Sequence, residues 1–229
     1  MHVFLLGPPG SGKTSVSTVL KERYGFCHVD VNEAVSRAVE YSETVTGDRL
    51  RQLMSEGKQV PDTLLTRIVA EATKLPDCTH GFLLDGFPRT AEQAQQLKAE
   101  GVEPDAIVLL TLSDYMLIDR YSGRWVHPSS GRMYHTYYNP PRVKGKDDVT
   151  GQPLIQRPED TVEAVRERIV KFHKNIRELK GVYTDERMWH KVDGFSTLDT
   201  VHLSICSILD PIIEAKNRRW WSKLLPWIS

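Results

Sequence analysis

The stretch Gly7-Pro8-Pro9-Gly10-Ser11-Gly12-Lys13-Thr14 follows the apolar run Val3-Phe4-Leu5-Leu6 and leads straight into a helical pattern. No other feature constrains the chain as strongly. The glycines let a loop curl until several backbone N–H groups point inward, Lys13 adds a mobile cation for β- and γ-phosphates, and the Thr14 hydroxyl suits Mg²⁺. The motif implies a nucleoside triphosphate; the fate of the phosphate must be read from the rest of the chain.

At 229 residues the chain can bury a substantial core, and one domain with insertions fits its length. Its 30 basic and 30 acidic residues cancel, so there is no global pull toward nucleic acid or membrane, and no nucleic-acid partner is expected. The three cysteines, Cys27, Cys78 and Cys206, are odd in number and widely spaced, which favours a reducing compartment and predicts no disulfide. The first strand begins at once, leaving no room for a cleavable signal, and no apolar run approaches the ~20 residues of a spanning helix. A soluble, cytoplasmic protein is expected.

Along the chain, Val16, Val19 and Leu20 recur at helical spacing up to Arg23, with Gly25 beyond. Cys27 to Val31 reads as a second strand, and Asn32 to Lys74 as helical, punctuated by Gly57 and Pro61. Gly81-Phe82-Leu83-Leu84-Asp85 is an apolar strand ending in a carboxylate, where an open α/β sheet places ligand chemistry. Thr90 and Gln93 resemble a capping box for a helix through Leu97, closed by Gly101. Ala106 to Leu112 is another buried strand, and Ser113 caps a helix to about Tyr121. From Gly123 to Asp160 prolines, glycines and polar-aromatic alternation predict a small β-rich insertion, a length that is uncommon without a function such as a lid. Thr161 to about Lys180 is helical, His190 to Gly194 a last strand, and Leu198 to Ala215 a last helix. Five strands alternating with helices predict an α/β fold, a five-stranded parallel sheet covered on both faces.

The phosphate loop, Asp85-Gly86-Phe87-Pro88-Arg89 and the insertion together resemble an adenylate kinase of the long, lid-bearing type, from residue 1 to about 215. The resemblance implies a P-loop NTPase-type core over 1–29, 61–122 and 161–215, a helical monophosphate-binding arm over 30–60, a lid over 123–160, and reversible transfer of a phosphoryl group between ATP·Mg²⁺ and AMP to give ADP. It implies a monomer. The chemistry needs positioning, a metal and cations around the moving charge, and arginine suits that because its planar fork grips phosphate oxygens and stays charged. Arg120, Arg124, Arg157 and Arg168 match family arginines that clamp phosphates. Asp85 corresponds to the carboxylate that orients Mg²⁺ through water, with Thr14 as the other metal-side group. On the ATP side the resemblance places Gly10, Ser11, Gly12, Lys13, Thr14, Ser15, Arg120, Arg124, Met133, Tyr134 and Ser196. On the AMP side it places Val31, Ser36, Arg37, Lys58, Gln59, Val60, Gly86, Phe87, Pro88, Arg89, Gln93, Arg157 and Arg168, with Arg89 on the α-phosphate and Gln93 reading adenine. His127, Ser130, Asp147 and Thr150 stand where some relatives carry four zinc-binding cysteines. Hydroxyls are poor zinc ligands, so a hydrogen-bonded cluster and no zinc are expected.

The chain departs from the family twice. Where members carry Thr-Gly-Asp-x-Leu-Arg it reads Val31-Asn32-Glu33-Ala34-Val35-Ser36, followed by Arg37, and a one-residue step rotates a helical side chain by about 100°. A literal Thr46-Gly47-Asp48-Arg49-Leu50-Arg51 occurs too late and fits a different helix of the arm. The second departure is residues 216–229, with four cations and three tryptophans in fourteen residues. This extension either packs on the protein's own body or is disordered, or it docks to a membrane surface, an organelle or a partner. The rival readings are a kinase with altered donor or acceptor (GTP:AMP or pyrimidine) and an ATP-binding, weakly catalytic docking protein. The many phosphate-matching cations argue against the last.

Overall fold

The computed structural model describes residues 1–41, 45–56, 58 and 60–224. Five strands form an all-parallel sheet: β1 (His2–Leu6), β2 (Cys27–Asp30), β3 (Phe82–Asp85), β4 (Ala106–Thr111) and β7 (Trp189–Asp193), in the order β2-β3-β1-β4-β7. The three central strands are near-continuous apolar runs because both of their faces are covered. Register places Leu5 beside Asp85 and Phe4 beside Ile107, so the phosphate loop and the carboxylate leave the sheet at the same edge.

Alternation along the strands sends Val3, Leu5, Leu83, Val108, Leu110 and Val192 to one face. There they pack on Val16 and Leu20 of α1 (Lys13–Tyr24) and on Val201, Ile205, Cys206 and Leu209 of α8 (Leu198–Leu224). Tyr24 adds a polar tie between the same helices, donating its hydroxyl to Asp210 at 2.6 Å. Three helices follow β2 in the chain: α2 (Val31–Tyr41), α3 (Val45–Ser55) and α4 (Asp62–Ala72), whose Ala34, Leu50 and Ile68 form a second small core. The Asp30 carboxylate caps α2 by accepting from the Asn32 and Glu33 backbone N–H groups. Pro61 precedes α4, Thr90 caps α5 (Ala91–Ala99) through its hydroxyl, and Ser113 caps α6 (Asp114–Ser122) in the same way.

The chain divides into two compact units. One takes Met1–Gly7, Gly12–Thr111 and the chain from Asn175; the other takes Pro8–Ser11 and Leu112–Lys174. The second unit is built on Leu117 and Tyr121 of α6 against Val165 and Ile169 of α7 (Val162–Val182). Its sheet is small: β5 (Arg124–Val126) pairs antiparallel with β6 (Met133–His135), and the rest of 123–160 is turns, isolated bridges and one short 3₁₀ turn at Pro158–Asp160.

Three expectations are corrected. Cys27 and Cys78 are joined as a disulfide, their Cα atoms 4.8 Å apart, because β2 lies against β3 and the turn before it. This removes the cysteine argument for a reducing compartment; Cys206 is free and buried. Val31 opens α2 instead of ending β2. The last helix runs past Ala215 to Leu224, since no glycine or proline stops it between Pro211 and Pro226 and Glu214 pairs with Arg218 one turn on. Among the described residues no helix is long and apolar enough to cross a membrane.

Leu83 is fully buried in the α1/α8 face of the sheet. Leu83→Ala is expected to lower the unfolding free energy by about 2–5 kcal/mol. Urea denaturation followed by far-UV circular dichroism measures this, and a loss under about 1 kcal/mol would contradict the packing described.

Candidate active site

In the first unit the geometry begins at Gly12, whose φ of 87° lies in the left-handed region that only glycine enters cheaply, and which turns the loop into α1. Lys13 is the first residue of that helix and donates to the Gly7 carbonyl at 2.8 Å, folding its ammonium back over the loop. Thr14 and Ser15 are exposed at the same helix start. Gly86, at φ 65°, follows β3; a Cβ there would come within 3.3 Å of Lys13 Cε, so the absence of a side chain gives the lysine its room.

Asp85 is 6 % exposed, yet it has polar company: Ser17 Oγ donates to its Oδ2 at 2.8 Å and His28 Nε2 lies 3.3 Å from the same oxygen. Sequence reasoning found neither Ser17 nor His28. Ser17 stands one helical turn after Lys13, a spacing that could have flagged it, whereas His28 depends on the β2–β3 pairing. Beyond Asp85, with a cis peptide at Phe87–Pro88, the chain reaches Arg89, whose Nε donates to the Gly86 carbonyl at 3.1 Å. The Arg89 backbone N–H donates to Gln93 Oε1 at 2.7 Å, and Gln93 Nε2 donates to Asp62 Oδ1 at 2.9 Å. The capping box is therefore half built, because Gln93 receives the Thr90 cap but turns its own amide elsewhere.

On α2, Val31 is buried while Ser36 and Arg37 are exposed. The Thr46–Arg51 segment lies in α3, where Arg51 donates to Asp48 and to the Val39 carbonyl, both at 2.6 Å, tying α3 to α2. Lys58 pairs with Glu56 at 2.8 Å and Val60 packs against the small core of Ala34, Leu50 and Ile68. Gln59, expected on the AMP side, lies outside the described residues. Ser196 is exposed just past β7, where the Gly194 N–H donates to Thr111 O.

In the second unit the arginines share two anchors that sequence reasoning missed. The buried Tyr121 ring has the Arg124 guanidinium 4.4 Å and the Arg168 guanidinium 4.7 Å from its centroid. Asp160, fully buried, accepts from Arg157 Nε at 3.0 Å and lies 3.8 Å from Arg124 Nη1. Arg168 donates Nη2 to the Glu159 carbonyl, and its Nε is buried with no hydrogen-bond partner, a donor left open. Arg120 donates to the Gly10 carbonyl at 3.3 Å. A Cβ on Gly10 would sit 2.5 Å from Tyr121 Cε2, so the loop needs glycine where it meets that ring.

In the segment 123–160, His127, Ser130, Asp147 and Thr150 come together. His127 Nδ1 meets Ser130 Oγ at 2.7 Å, and Thr150 Oγ1 donates to Asp147 Oδ2 at 2.8 Å and lies 3.3 Å from His127 Nε2. Arg132 grips Asp147 with two hydrogen bonds of 2.8 and 2.7 Å and Tyr134 donates to it at 2.9 Å. The Arg132 guanidinium first, and the Thr150 and Tyr134 donors with it, hold the Asp147 carboxyl far below the usual carboxylate range. Tyr134 thus turns its side chain to this cluster, while Met133 is 58 % exposed.

A parallel sheet with a phosphate loop at the carboxyl edge of its central strand, a lysine folded over that loop and a strand-end carboxylate define a P-loop nucleotide-binding protein of the α/β class. The adenylate kinase family model matches residues 5–188. Adenylate kinase 4 from Oryza sativa subsp. japonica is 42 % identical over 191 residues, covering 82 % of this chain and 78 % of its own length. The chain belongs to the adenylate kinase family, and its activity is that of a nucleoside monophosphate kinase working on ATP, AMP and ADP.

Burial pushes the Lys13 ammonium down to about 8 from 10.5, with Asp85 opposing the drop and Arg89 adding to it. The unfolded chain therefore keeps this proton longer, and the group's contribution to stability is present above pH 10.5 and lost as pH falls through about 8. Triphosphate binding has the opposite sign, because only the charged form pairs with phosphate. ATP affinity should fall as pH rises above about 8, by up to about tenfold per pH unit. Calorimetry at pH 9 in buffers of different ionisation enthalpy should record proton uptake on ATP binding that disappears in Lys13→Met; equal uptake by both proteins would refute the assignment to Lys13.

Proposed function

We propose that the two sets of residues divide the reaction as follows. Lys13 and the loop from Gly10 to Ser15 hold the β- and γ-phosphates of ATP, and Arg89 holds the AMP phosphate while Gln93 meets its adenine. Arg120, Arg124, Arg157 and Arg168 surround the phosphoryl group in flight. The AMP phosphate oxygen attacks the γ-phosphorus in line, the bond to the β–γ bridging oxygen breaks, and two ADP result; an already ionised phosphate nucleophile needs no general base. Positioning and cationic stabilisation carry the rate.

Mg²⁺, when bound, neutralises charge on the β- and γ-phosphates, and the chain offers it the exposed Thr14 hydroxyl and, through water, Asp85. Asp85 fits that role because its hydrogen-bond contacts with Ser17 and His28 both go to Oδ2. In 123–160, by contrast, one imidazole, two hydroxyls and a carboxylate already gripped by Arg132 make a poor zinc set, so no zinc is proposed there. We read residues 30–60 as the monophosphate arm and 123–160 as a lid, closing to exclude the water that would otherwise accept the phosphoryl group. The enzyme is read as a monomer.

The observation that carries this reading is the open, buried Nε donor of Arg168 beside Arg124 on one aromatic face. Clustered guanidiniums with an unused donor are organised for a multiply charged oxyanion. Coupled assay of ADP formation from ATP·Mg²⁺ should give robust turnover with AMP and little with GMP, CMP or UMP. In Arg168→Ala kcat should fall on the order of 10³-fold with the KM for ATP nearly unchanged. A variant that keeps kcat within about tenfold would remove Arg168 from the transition state.

The extension from 216 onward begins tied to the protein's own body, since Lys216 pairs with Asp105, which precedes β4. Packing is the reading this supports, with docking to an anionic membrane as its rival. Flotation with phosphatidylserine-containing liposomes should recover the full chain and a 216–229 deletion equally; recovery of the full chain alone would assign the segment to a membrane surface.

A further inference from the structure

Gln93 is 3 % exposed, and both ends of its side-chain amide are already engaged. The oxygen accepts from the Arg89 backbone N–H at 2.7 Å, and the nitrogen donates to Asp62 Oδ1, at the start of α4, at 2.9 Å. A side-chain amide is nearly symmetric in shape, so a half-turn about its last bond exchanges donor and acceptor at little steric cost. Here a half-turn would face the Arg89 N–H with an N–H and the Asp62 carboxylate with an oxygen, donor on donor and acceptor on acceptor. Both partners favour the same orientation, and each leaves part of the amide unused: one N–H of the nitrogen and one lone pair of the oxygen.

That residual pair has a fixed order in space, which matters for a purine. A 6-amino purine shows a ring acceptor beside an amino donor; a 6-oxo purine shows a ring N–H donor beside a carbonyl acceptor. An amide free to turn serves either edge, whereas one locked from behind serves one. We propose that Asp62, with the Arg89 backbone N–H, fixes the orientation of the Gln93 amide and thereby makes the acceptor site select 6-amino over 6-oxo purine monophosphates. The inference rests on the reading of Gln93 as the base-facing residue. Asp62 is a positioning residue in it and touches no substrate.

The test is steady-state kcat/KM for AMP and for IMP in the unaltered enzyme, Asp62→Asn, Asp62→Ala and Gln93→Leu. Asparagine can accept or donate, so it tolerates either amide orientation at unchanged size. Alanine removes the partner altogether. Both Asp62 variants should lower the AMP:IMP ratio by about tenfold, through a higher KM for AMP and a lower KM for IMP, with kcat at saturating AMP within about twofold and the KM for ATP unchanged. Gln93→Leu should raise the KM for AMP and lose the preference. Asp62 variants that keep the ratio while Gln93→Leu loses it overturn the lock and leave the reading of Gln93 standing. Gln93→Leu with an unchanged KM for AMP overturns both. An Asp62→Asn enzyme weakened equally toward AMP and IMP marks a merely structural aspartate and also overturns the lock, as does an unaltered enzyme that uses IMP as well as AMP.

Discussion

The phosphate end of the sheet depends on keeping the Lys13 ammonium half-dry beside Asp85. Burial alone would drive the proton off, and Asp85 is the charge that opposes this. A buried carboxylate is itself costly unless its oxygens are satisfied, and Asp85 takes Ser17 from α1 and His28 from β2 to meet that need. One electrostatic requirement thus ties together three elements, α1, β2 and β3, that hydrophobic packing would only bring close. Gly86 follows from the same requirement: the strand must turn immediately after the carboxylate, and the turn must leave the lysine space that a Cβ would take.

In the second unit the constraint is repulsion. Arg124 and Arg168 lie on one ring, and Arg124 and Arg157 on one carboxylate, so like charges are gathered close together. Tyr121 and Asp160 hold them at that separation, the ring through its negative face and the buried carboxylate through charge-assisted hydrogen bonds. Gathering like charges costs stability, and on the roles proposed above it lessens the reorganisation needed around a transferring phosphoryl group. Arg168 Nε is the one buried guanidinium nitrogen of the group, among the described residues, that no protein atom accepts from.

Much of the fold was legible because its strands are read without knowing their partners. Runs such as Phe82-Leu83-Leu84-Asp85 and Ala106–Thr111 are apolar at consecutive positions, and only a strand covered on both faces demands that. The Thr90 and Ser113 caps were legible for the same reason, being local. What stayed hidden depends on contacts made across the chain. His28 reaches Asp85, and Cys27 reaches Cys78, only through the β2–β3 pairing. Tyr121 and Asp160 enter the sequence reading only as the ends of a helix and of the insertion, and their roles appear where α6 meets α7 and where Arg157 closes on Asp160. The residues matched to the family by motif thus lacked the supporting groups that hold them in place, and those groups carry no motif of their own.

On the roles proposed, the departure from the family motif at residues 31–36 changes where acceptor recognition must lie. On the resemblance Ser36 falls where the family carries its arginine, and Arg37, one position on, is an exposed charge on α2. An exposed cation in high dielectric adds little grip and loses more of it in salt. The groups around Gln93 differ in kind. They are anchored at the corner of α4 and α5 by the Thr90 cap, the Arg89 backbone and Asp62, so the side chain loses little further freedom on binding. On the roles proposed, the enzyme then chooses its acceptor more by the base, read by a rigid amide, than by the phosphate, held by Arg89 with less help from the arm. A weakened phosphate grip would be shared by every nucleoside monophosphate and costs no selectivity, whereas a loosened amide would cost selectivity directly, which is why the altered motif can be tolerated at Ser36 and would not be tolerated at Gln93.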